Sequence, residues 1–157
     1  MPAIMPAMAS MLITSALFFA VAATARAASL PADVQGALKT QSEIYIATRR
    51  ADGARSAAVP VWFWWDADNQ ILYTSTSPDA HKVKRIRKGS PVFVAVQGKD
   101  GPFFEGTAEI VTDPQLVERI GNGYSDKYWV AWLGLFRPRA SRVSAGKTVV
   151  MKIVLKP

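Results

Sequence analysis

The sequence predicts a mainly β fold with short helices, in which six to seven antiparallel strands close into a small barrel. Short segments rich in β-branched and aromatic residues recur along the chain. Tight turns containing Gly, Asp or Asn separate most of them, and only two or three segments have helical character. A chain of 157 residues and 17.1 kDa corresponds to one domain, large enough to bury a hydrophobic core.

The first 27 residues are predicted to be a signal peptide, and residues 28–157 are predicted to form the folded domain. Residues 11–23 are an uninterrupted apolar run too short to span a bilayer, and Ala25 and Ala27 form the small-x-small pattern of a cleavage site. No Lys or Arg precedes the run, so an uncleaved anchor and a misplaced start remain as alternatives. Cleavage after Ala27 would leave 157 − 27 = 130 residues, a net charge of 7 − 1 = +6 and no stable membrane span. We therefore expect an exported protein, periplasmic or secreted.

The domain begins with one predicted helix and three predicted strands. The helix, over residues 31–40, has its apolar residues on one side. Asp52-Gly53 predicts a hairpin turn, and residues 66–69 predict another. The strands that these turns connect extend over residues 43–48, 55–66 and 70–76.

A second helix and two further strands follow. Ser77 or Asp79 is the predicted cap of the helix, which contains residues 81–88 and ends at Gly89. The two strands, over residues 91–97 and 103–112, are joined by a Gly-rich turn.

The C-terminal part is predicted to combine a broken helix with a hairpin. Asp113-Pro114 marks the start of the helix, the glycines of residues 121–123 interrupt it, and it resumes through residues 128–133. The final hairpin pairs residues 140–144 with residues 148–155.

Residues 59–65 and 92–96 are apolar on both faces of their predicted strands. An antiparallel strand with one wet face should alternate instead, so a second layer must cover the outer face. The chain contains little helix, and we therefore predict a homodimer. The alternative is that the helix containing Trp129 and Trp132 supplies the cover.

Composition excludes several kinds of site. The chain has no Cys and a single His, which excludes disulfides, thiolate sites and multi-histidine zinc sites. The net charge of +7 favours anionic ligands. Basic and aromatic residues occupy different segments, so we do not expect nucleic acid as the partner. No nucleotide-binding or hydrolase motif is present in the sequence.

Three segments in fixed order resemble the pyridoxamine 5'-phosphate oxidase-like split-barrel family of FMN- and deazaflavin-binding proteins. They are IATRRADGARSAAVPVWFWW (46–65), ILYTSTSPDAHKVKRIRKGSPVFVAV (71–96) and FFEGTAEIV (103–111), with a weaker likeness over residues 136–148. The resemblance implies a split β-barrel and a flavin-type cofactor. It also implies that Lys82 is the main contact of the cofactor phosphate, with His81 where relatives often have Arg.

The residues around this motif support an anion site independently. Thr74 and Ser75 end a strand and precede a helix start, where free N–H groups favour negative charge. Lys82 and His81 in the first helical turn can add charge-assisted bonds. Arg55, which opens the second strand, is a further candidate. The competing interpretation is that these cations are a solvated helix face and that the hydroxyls cap the strand end.

The predicted function is that of an FMN- or deazaflavin-dependent oxidoreductase acting on a small-molecule substrate. The alternative is a non-catalytic exported protein that binds a flavin, haem or another anionic ligand. No residue is marked as a general acid, general base or nucleophile, but in flavin enzymes the cofactor carries the redox chemistry. Core or dimer packing is the preferred interpretation of Trp62, Trp64 and Trp65, and a stacking platform for an isoalloxazine ring or for bases is the alternative.

Overall fold

The computed structural model of the protein describes residues 29–157, so the predicted signal peptide lies outside the described residues. The chain forms seven strands and five helices in this range. The strands are β1 (Ile44–Thr48), β2 (Val59–Val61), β3 (Phe63–Asp66), β4 (Ile71–Thr76), β5 (Val92–Ala95), β6 (Phe103–Val111) and β7 (Val149–Leu155). The helices are α1 (Ala32–Thr40), α2 (His81–Arg87), α3 (Pro114–Lys127), α4 (Trp129–Trp132) and α5 (Ala140–Ser144).

All seven strands belong to one antiparallel sheet in the order β2-β1-β5-β6-β7-β4-β3. The two edge strands, β2 and β3, are consecutive in the chain and are separated only by Trp62. The sheet therefore curls until its edges meet and forms a nearly closed barrel. The predicted fold class, a barrel of six to seven antiparallel strands with short helices, is confirmed.

The prediction of one strand over residues 55–66 is wrong, because the chain changes strand partner at Trp62. Val61 pairs with β1, whereas Phe63 pairs with Thr74 of β4. At the change of partner the Trp62 carbonyl accepts hydrogen bonds from the Thr74 and Tyr124 hydroxyls, both at 2.8 Å. Two side-chain hydroxyls thus supply the hydrogen bonds of the Trp62 carbonyl, at the position where the strand-to-strand bonding is interrupted.

The alternation along β2 and β3 separates two hydrophobic clusters. Val61, Phe63 and Trp65 belong to the interior cluster of the barrel, into which α1 and α2 also pack. Trp62 and Trp64 lie against a second cluster on the outer surface. The prediction that this segment is apolar on both faces because both are covered is confirmed.

Helix α3 covers the outer cluster, and the predicted break at its glycines is wrong. A Cβ on Gly121 would lie 2.5 Å from the Pro138 carbonyl oxygen, and one on Gly123 would lie 2.5 Å from the Trp64 indole. The glycines therefore allow close packing and do not end the helix. The alternative, that the helix containing Trp129 and Trp132 supplies the cover, holds only in part. Both tryptophans are exposed, at 77% and 75%, but Tyr128 and Ala131 of the same segment are buried in the outer cluster beside α3.

The prediction that residues 140–144 form a strand is wrong, because they form α5. Strand β7 pairs with β4 on one side and β6 on the other, so both of its edges are already occupied. A strand over residues 140–144 would have no free edge there.

Helix α2 also lacks the predicted side-chain cap. Its N-cap is Ala80, and the Ser77 hydroxyl instead accepts a hydrogen bond from the Asp79 N–H at 3.4 Å.

Candidate functional site

A cleft of about 770 Å³ opens between the β2–β3 edge of the barrel and the segment that connects α4 to β7. The barrel supplies one wall and residues 134–148 supply the other. Its lining residues are Pro60, Val61, Trp62, Ser75, Thr76, Ser77, Lys82, Tyr124, Gly134, Leu135, Phe136, Arg137, Pro138, Arg142, Lys147 and Thr148. This volume is typical of small-molecule and cofactor sites.

Packing holds the barrel wall of the cleft in place. The Trp62 ring stacks on Tyr128 with centroids 4.4 Å apart and an angle of 7° between the planes. The buried Tyr124 hydroxyl donates to the Trp62 carbonyl and accepts from the Ser75 N–H at 3.2 Å. The wall therefore presents a rigid, largely apolar surface that ends in the polar residues Ser75–Ser77.

Lys82 brings a cation to this polar end. Its side chain is half-buried, and burial lowers the pKa of its ammonium group. Among residues 29–157 it forms no salt bridge. A half-buried ammonium without a counter-ion favours an anionic ligand, which would restore the charge balance.

The opposite wall carries three more cations. Arg137 donates to Glu118 at 3.3 Å and to Asn122 at 3.1 Å, while its Nε is buried without a hydrogen-bond partner in the described part of the chain. Arg142 donates to the Thr148 hydroxyl at 3.4 Å, and Lys147 is exposed. No Asp or Glu is among the described residues that line the cleft, so its potential is positive.

Among residues 29–157, the lining of the cleft includes several hydroxyl groups but no His, Asp or Glu. Burial raises the pKa of Tyr124 to about 12, so this hydroxyl stays protonated and acts as a hydrogen-bond donor. Within residues 29–157, no three His, Asp or Glu side chains cluster in a way that could hold a metal ion. The arrangement is suited to binding and orienting a ligand.

The structure brings two of the five predicted site residues into the cleft. Lys82 and Ser75 line it, whereas Thr74 is buried behind it with its hydroxyl on the Trp62 carbonyl. His81 lines another depression of the surface, which a different face of α2 borders. Arg55 is exposed, and its guanidinium lies 3.7 Å from the centre of the Phe103 ring. The ligand-binding roles of all five remain predictions.

Several lining residues were not among those predicted. Tyr124, Phe136, Arg137 and Lys147 come from α3 and from the segment after α4. The weaker family likeness over residues 136–148 was the only sequence signal for the last three. Tyr124 gave no such signal, because an aromatic residue at helical spacing is usually part of a core.

The chain matches a family model described as pyridoxamine 5'-phosphate oxidase over residues 30–155. This range contains all seven strands and both walls of the cleft. No curated protein matches the chain.

Solved structures share the fold at low sequence identity. A candidate pyridoxamine 5'-phosphate oxidase from Listeria innocua is 24% identical, with a TM-score of 0.56 over 80% of this chain and 92% of its own. An F420 reductase is 22% identical, with a TM-score of 0.56 over 82% and 97%. A conserved hypothetical protein from Mycobacterium tuberculosis is 19% identical, with a TM-score of 0.59 over 85% and 84%.

Proposed function

The chain belongs to the pyridoxamine 5'-phosphate oxidase family, and on this basis we propose that it binds FMN in the cleft and acts as an oxidoreductase on a small molecule. The observation that carries the proposal is the half-buried, unpaired Lys82 at the polar end of a cleft whose described lining contains no carboxylate. A deazaflavin is the alternative cofactor, and the structural likeness to an F420 reductase supports it.

The donor set fits a phosphorylated ring system. The Lys82 ammonium and the hydroxyls of Ser75–Ser77 would hold the phosphate, since charged and hydroxyl donors are the groups that phosphate accepts from. The apolar surface of Pro60–Trp62 would support the ring. When bound, the cofactor supplies hydride transfer.

The protein's own residues would position the cofactor and limit its contact with water. Tyr124 and Tyr128 hold Trp62 against the barrel, which keeps the supporting surface rigid. Phe136 lies at the mouth of the cleft, with its ring centre 5.8 Å from that of Trp62. Trp62 and Phe136 would together leave one face of the cofactor ring open to substrate.

Replacing Lys82 tests this assignment. Lys82→Met should weaken FMN binding about tenfold or more, because one charge-assisted hydrogen bond contributes on the order of 1.5 kcal/mol. Lys84→Met is the matched control, since it removes the same charge from an exposed position of α2 outside the cleft. Fluorescence titration of both variants measures the difference. A wild-type protein that binds neither FMN nor a deazaflavin at micromolar concentration would rule the proposal out.

A non-catalytic flavin-binding protein is the second candidate. The observation that favours it is the lack of imidazole and carboxylate groups in the described lining of the cleft. The two candidate functions are distinguished by reducing the bound cofactor, with light or dithionite, and then adding small-molecule electron acceptors. On an enzyme, the two electrons of the reduced cofactor should pass to one acceptor of a panel faster than free reduced cofactor passes them to it, whereas a carrier should show no such acceleration with any acceptor.

We also propose that the protein is an exported homodimer. Exposed apolar side chains at positions 129, 132, 133, 135 and 136 lie next to the cleft, which supports a second copy as their cover.

Between residues 29 and 157, no helix is long and apolar enough to cross a membrane. N-terminal sequencing of protein recovered from the periplasm or the medium tests export, which predicts a chain that starts at Ala28.

A further inference from the structure

A second cleft, of about 540 Å³, is bordered by a different face of α2 from the one that contributes Lys82 to the proposed cofactor site. We name it the basic groove. Its lining residues are Arg49, Arg50, Ala51, His81, Lys84, Arg85, Lys88, Gly89, Ser90 and Pro91. Five of the ten carry a permanent positive charge, and no carboxylate is among the described residues that line it.

The helical repeat explains why so many cations converge. His81, Lys84, Arg85 and Lys88 are spaced i, i+3, i+4 and i+7, so they share one face of α2 and its C-terminal turn. Lys82 lies off this face and lines the other cleft. One short helix therefore presents cations to two separate sites.

The hairpin that joins β1 to β2 supplies the opposite wall. Arg49 donates to the Gly53 carbonyl at 3.2 Å, and its guanidinium lies 5.3 Å from the centre of the Phe93 ring. Arg85 donates to the Thr48 hydroxyl at 3.2 Å. The hydrogen-bond partners of these two guanidinium groups are neutral. The Glu105 carboxylate, which pairs with Lys156 at 2.8 Å, lies close enough that Lys156 and, to a smaller extent, Arg49 lower its pKa, so Arg49 is compensated only weakly.

Neutralisation within the described chain is small. Asp52 pairs with Arg50 at 3.1 Å, but both side chains are about half exposed or more. The interaction free energy of such an exposed ion pair is small. A solvated helix face usually has its cations spread towards water. Here two arginines of the hairpin close the face into a concave site, where the charges repel one another unless an anion lies between them.

We propose that the basic groove binds a compact polyanion carrying at least two phosphate groups, at a site separate from the cofactor cleft. The number of cations favours a multiply charged ligand over a single carboxylate, and the volume is that of a small-molecule site. The proposal does not depend on the proposed oxidoreductase function.

Inorganic pyrophosphate is the probe, and His81 is the reporter. The chain contains one histidine, so the imidazole of an untagged protein has a unique proton resonance. The titration uses the full protein with Lys82→Met, which weakens competing binding in the cofactor cleft. Pyrophosphate should shift the His81 resonance in a saturable manner, and calorimetry on the same sample should give a matching Kd.

A paired set of charge variants decides the location. Lys84→Ala with Lys88→Ala removes two exposed cations of the groove, whereas Lys39→Ala with Lys99→Ala removes two exposed cations elsewhere. The first pair should weaken pyrophosphate binding about tenfold or more, and the control pair should change it less than about threefold, because contact charges act more strongly than screened distant ones.

Three results would overturn the proposal. Equal weakening in the two pairs would show a general charge effect, and a linear, non-saturating shift of His81 would show adventitious ion binding only. The third is binding to phosphatidylglycerol vesicles that requires Lys84 and Lys88 while pyrophosphate does not bind, which would assign the groove to a membrane surface instead.

Discussion

At the scale of single residues, Tyr128 holds together a point where the sheet cannot satisfy its own hydrogen bonds. Its hydroxyl donates to the Ser42 carbonyl at 2.7 Å and accepts from the Phe63 N–H at 3.0 Å. Burial is the main cause that raises its pKa, so the hydroxyl stays protonated. One side chain thus replaces the backbone partners that are lost where β2 ends and β3 begins.

Tyr128→Phe should therefore lower the free energy of unfolding by about 1–3 kcal/mol, because it leaves the buried Phe63 N–H without a hydrogen-bond partner. Tyr45→Phe is the matched control, since the Tyr45 hydroxyl contacts only the Glu43 carboxylate near the surface. Urea unfolding of both variants provides the comparison. Equal losses of stability would show that the Tyr128 hydroxyl has no special role.

Lys127 is a second residue whose position has a measurable consequence. Its Nζ is buried without a hydrogen-bond partner in the described chain and lies 3.2 Å from the centre of the Phe63 ring. Burial lowers the pKa of this group to about 8, from 10.5. Between these two values the unfolded chain binds more protons than the folded one, so this group makes stability rise with pH.

Lys127→Met should consequently be more stable than the wild type at pH 7, where the wild type keeps a buried charge. The advantage should shrink as the pH rises from about 8 towards 10, because the wild-type amine then loses its proton. Thermal unfolding of both proteins across this range measures the difference. An advantage that stays constant with pH would contradict the assignment.

At the scale of elements, the packing of α3 against β3 depends on its glycines. Gly123 allows the helix backbone to approach the Trp64 indole, at a distance that leaves no room for a Cβ. Gly36 of α1 is different, since a Cβ added there would meet nothing within 4 Å. The same residue type therefore serves close packing in one helix and is only a weak helix former in the other.

The two glycines should respond to alanine with opposite signs. Gly36→Ala should stabilise the protein by about 0.5–1 kcal/mol through helix propensity. Gly123→Ala should destabilise it by about 1–3 kcal/mol, because overlap with the indole outweighs the same gain. Chemical unfolding gives both values. A stabilised Gly123→Ala protein would mean that α3 does not pack on Trp64 at this distance.

At the scale of the whole molecule, one seven-stranded sheet wraps around an interior cluster and leaves two clefts on the two sides of α2. The segment of residues 129–136, which leads into the wall formed by residues 134–148, carries the exposed apolar side chains that we assign to the dimer contact. Dimer formation and cofactor binding would then share one surface, since Leu135 and Phe136 are exposed and also line the cofactor cleft.

Trp129→Ser combined with Trp132→Ser should shift the protein from dimer to monomer, because it removes the two most exposed aromatic side chains of this surface. Val154→Ser, at an exposed position on β7, should leave the dimer intact. Analytical ultracentrifugation distinguishes these states. A monomeric wild type, or a dimer that is unaffected by the double substitution, would show that the contact lies elsewhere or does not form.

Much of the fold could be predicted because its signals are local. The Asp52-Gly53 turn, the apolar run of residues 59–65 and the amphipathic α1 each depend on neighbours within a few positions. The wrong predictions involve distant partners. Gly121 and Gly123 were interpreted as a helix break because Pro138 and Trp64, which require them, are far away in the sequence.

The residues of the candidate site divide in the same way, into those with local sequence signals and those brought in by distant parts of the chain. Lys82 was predicted from the residues around it, whereas Arg137 and Lys147 join it only because the chain returns to the barrel edge after α4. His81 is next to Lys82 in the sequence but lies apart from it in the structure. One step along a helix rotates a side chain by about 100°, and His81 therefore lines the other cleft.

The sequence by itself determined the antiparallel barrel class of the fold, most of the turns between strands and the basic character of α2. Only the tertiary structure decided that residues 55–66 divide between two edges of the sheet, that residues 140–144 are helical and that α2 separates two positive clefts. The physical reason is that turn and periodicity preferences act between near neighbours. Barrel closure depends on which strand edges remain free once all the long-range pairings have formed.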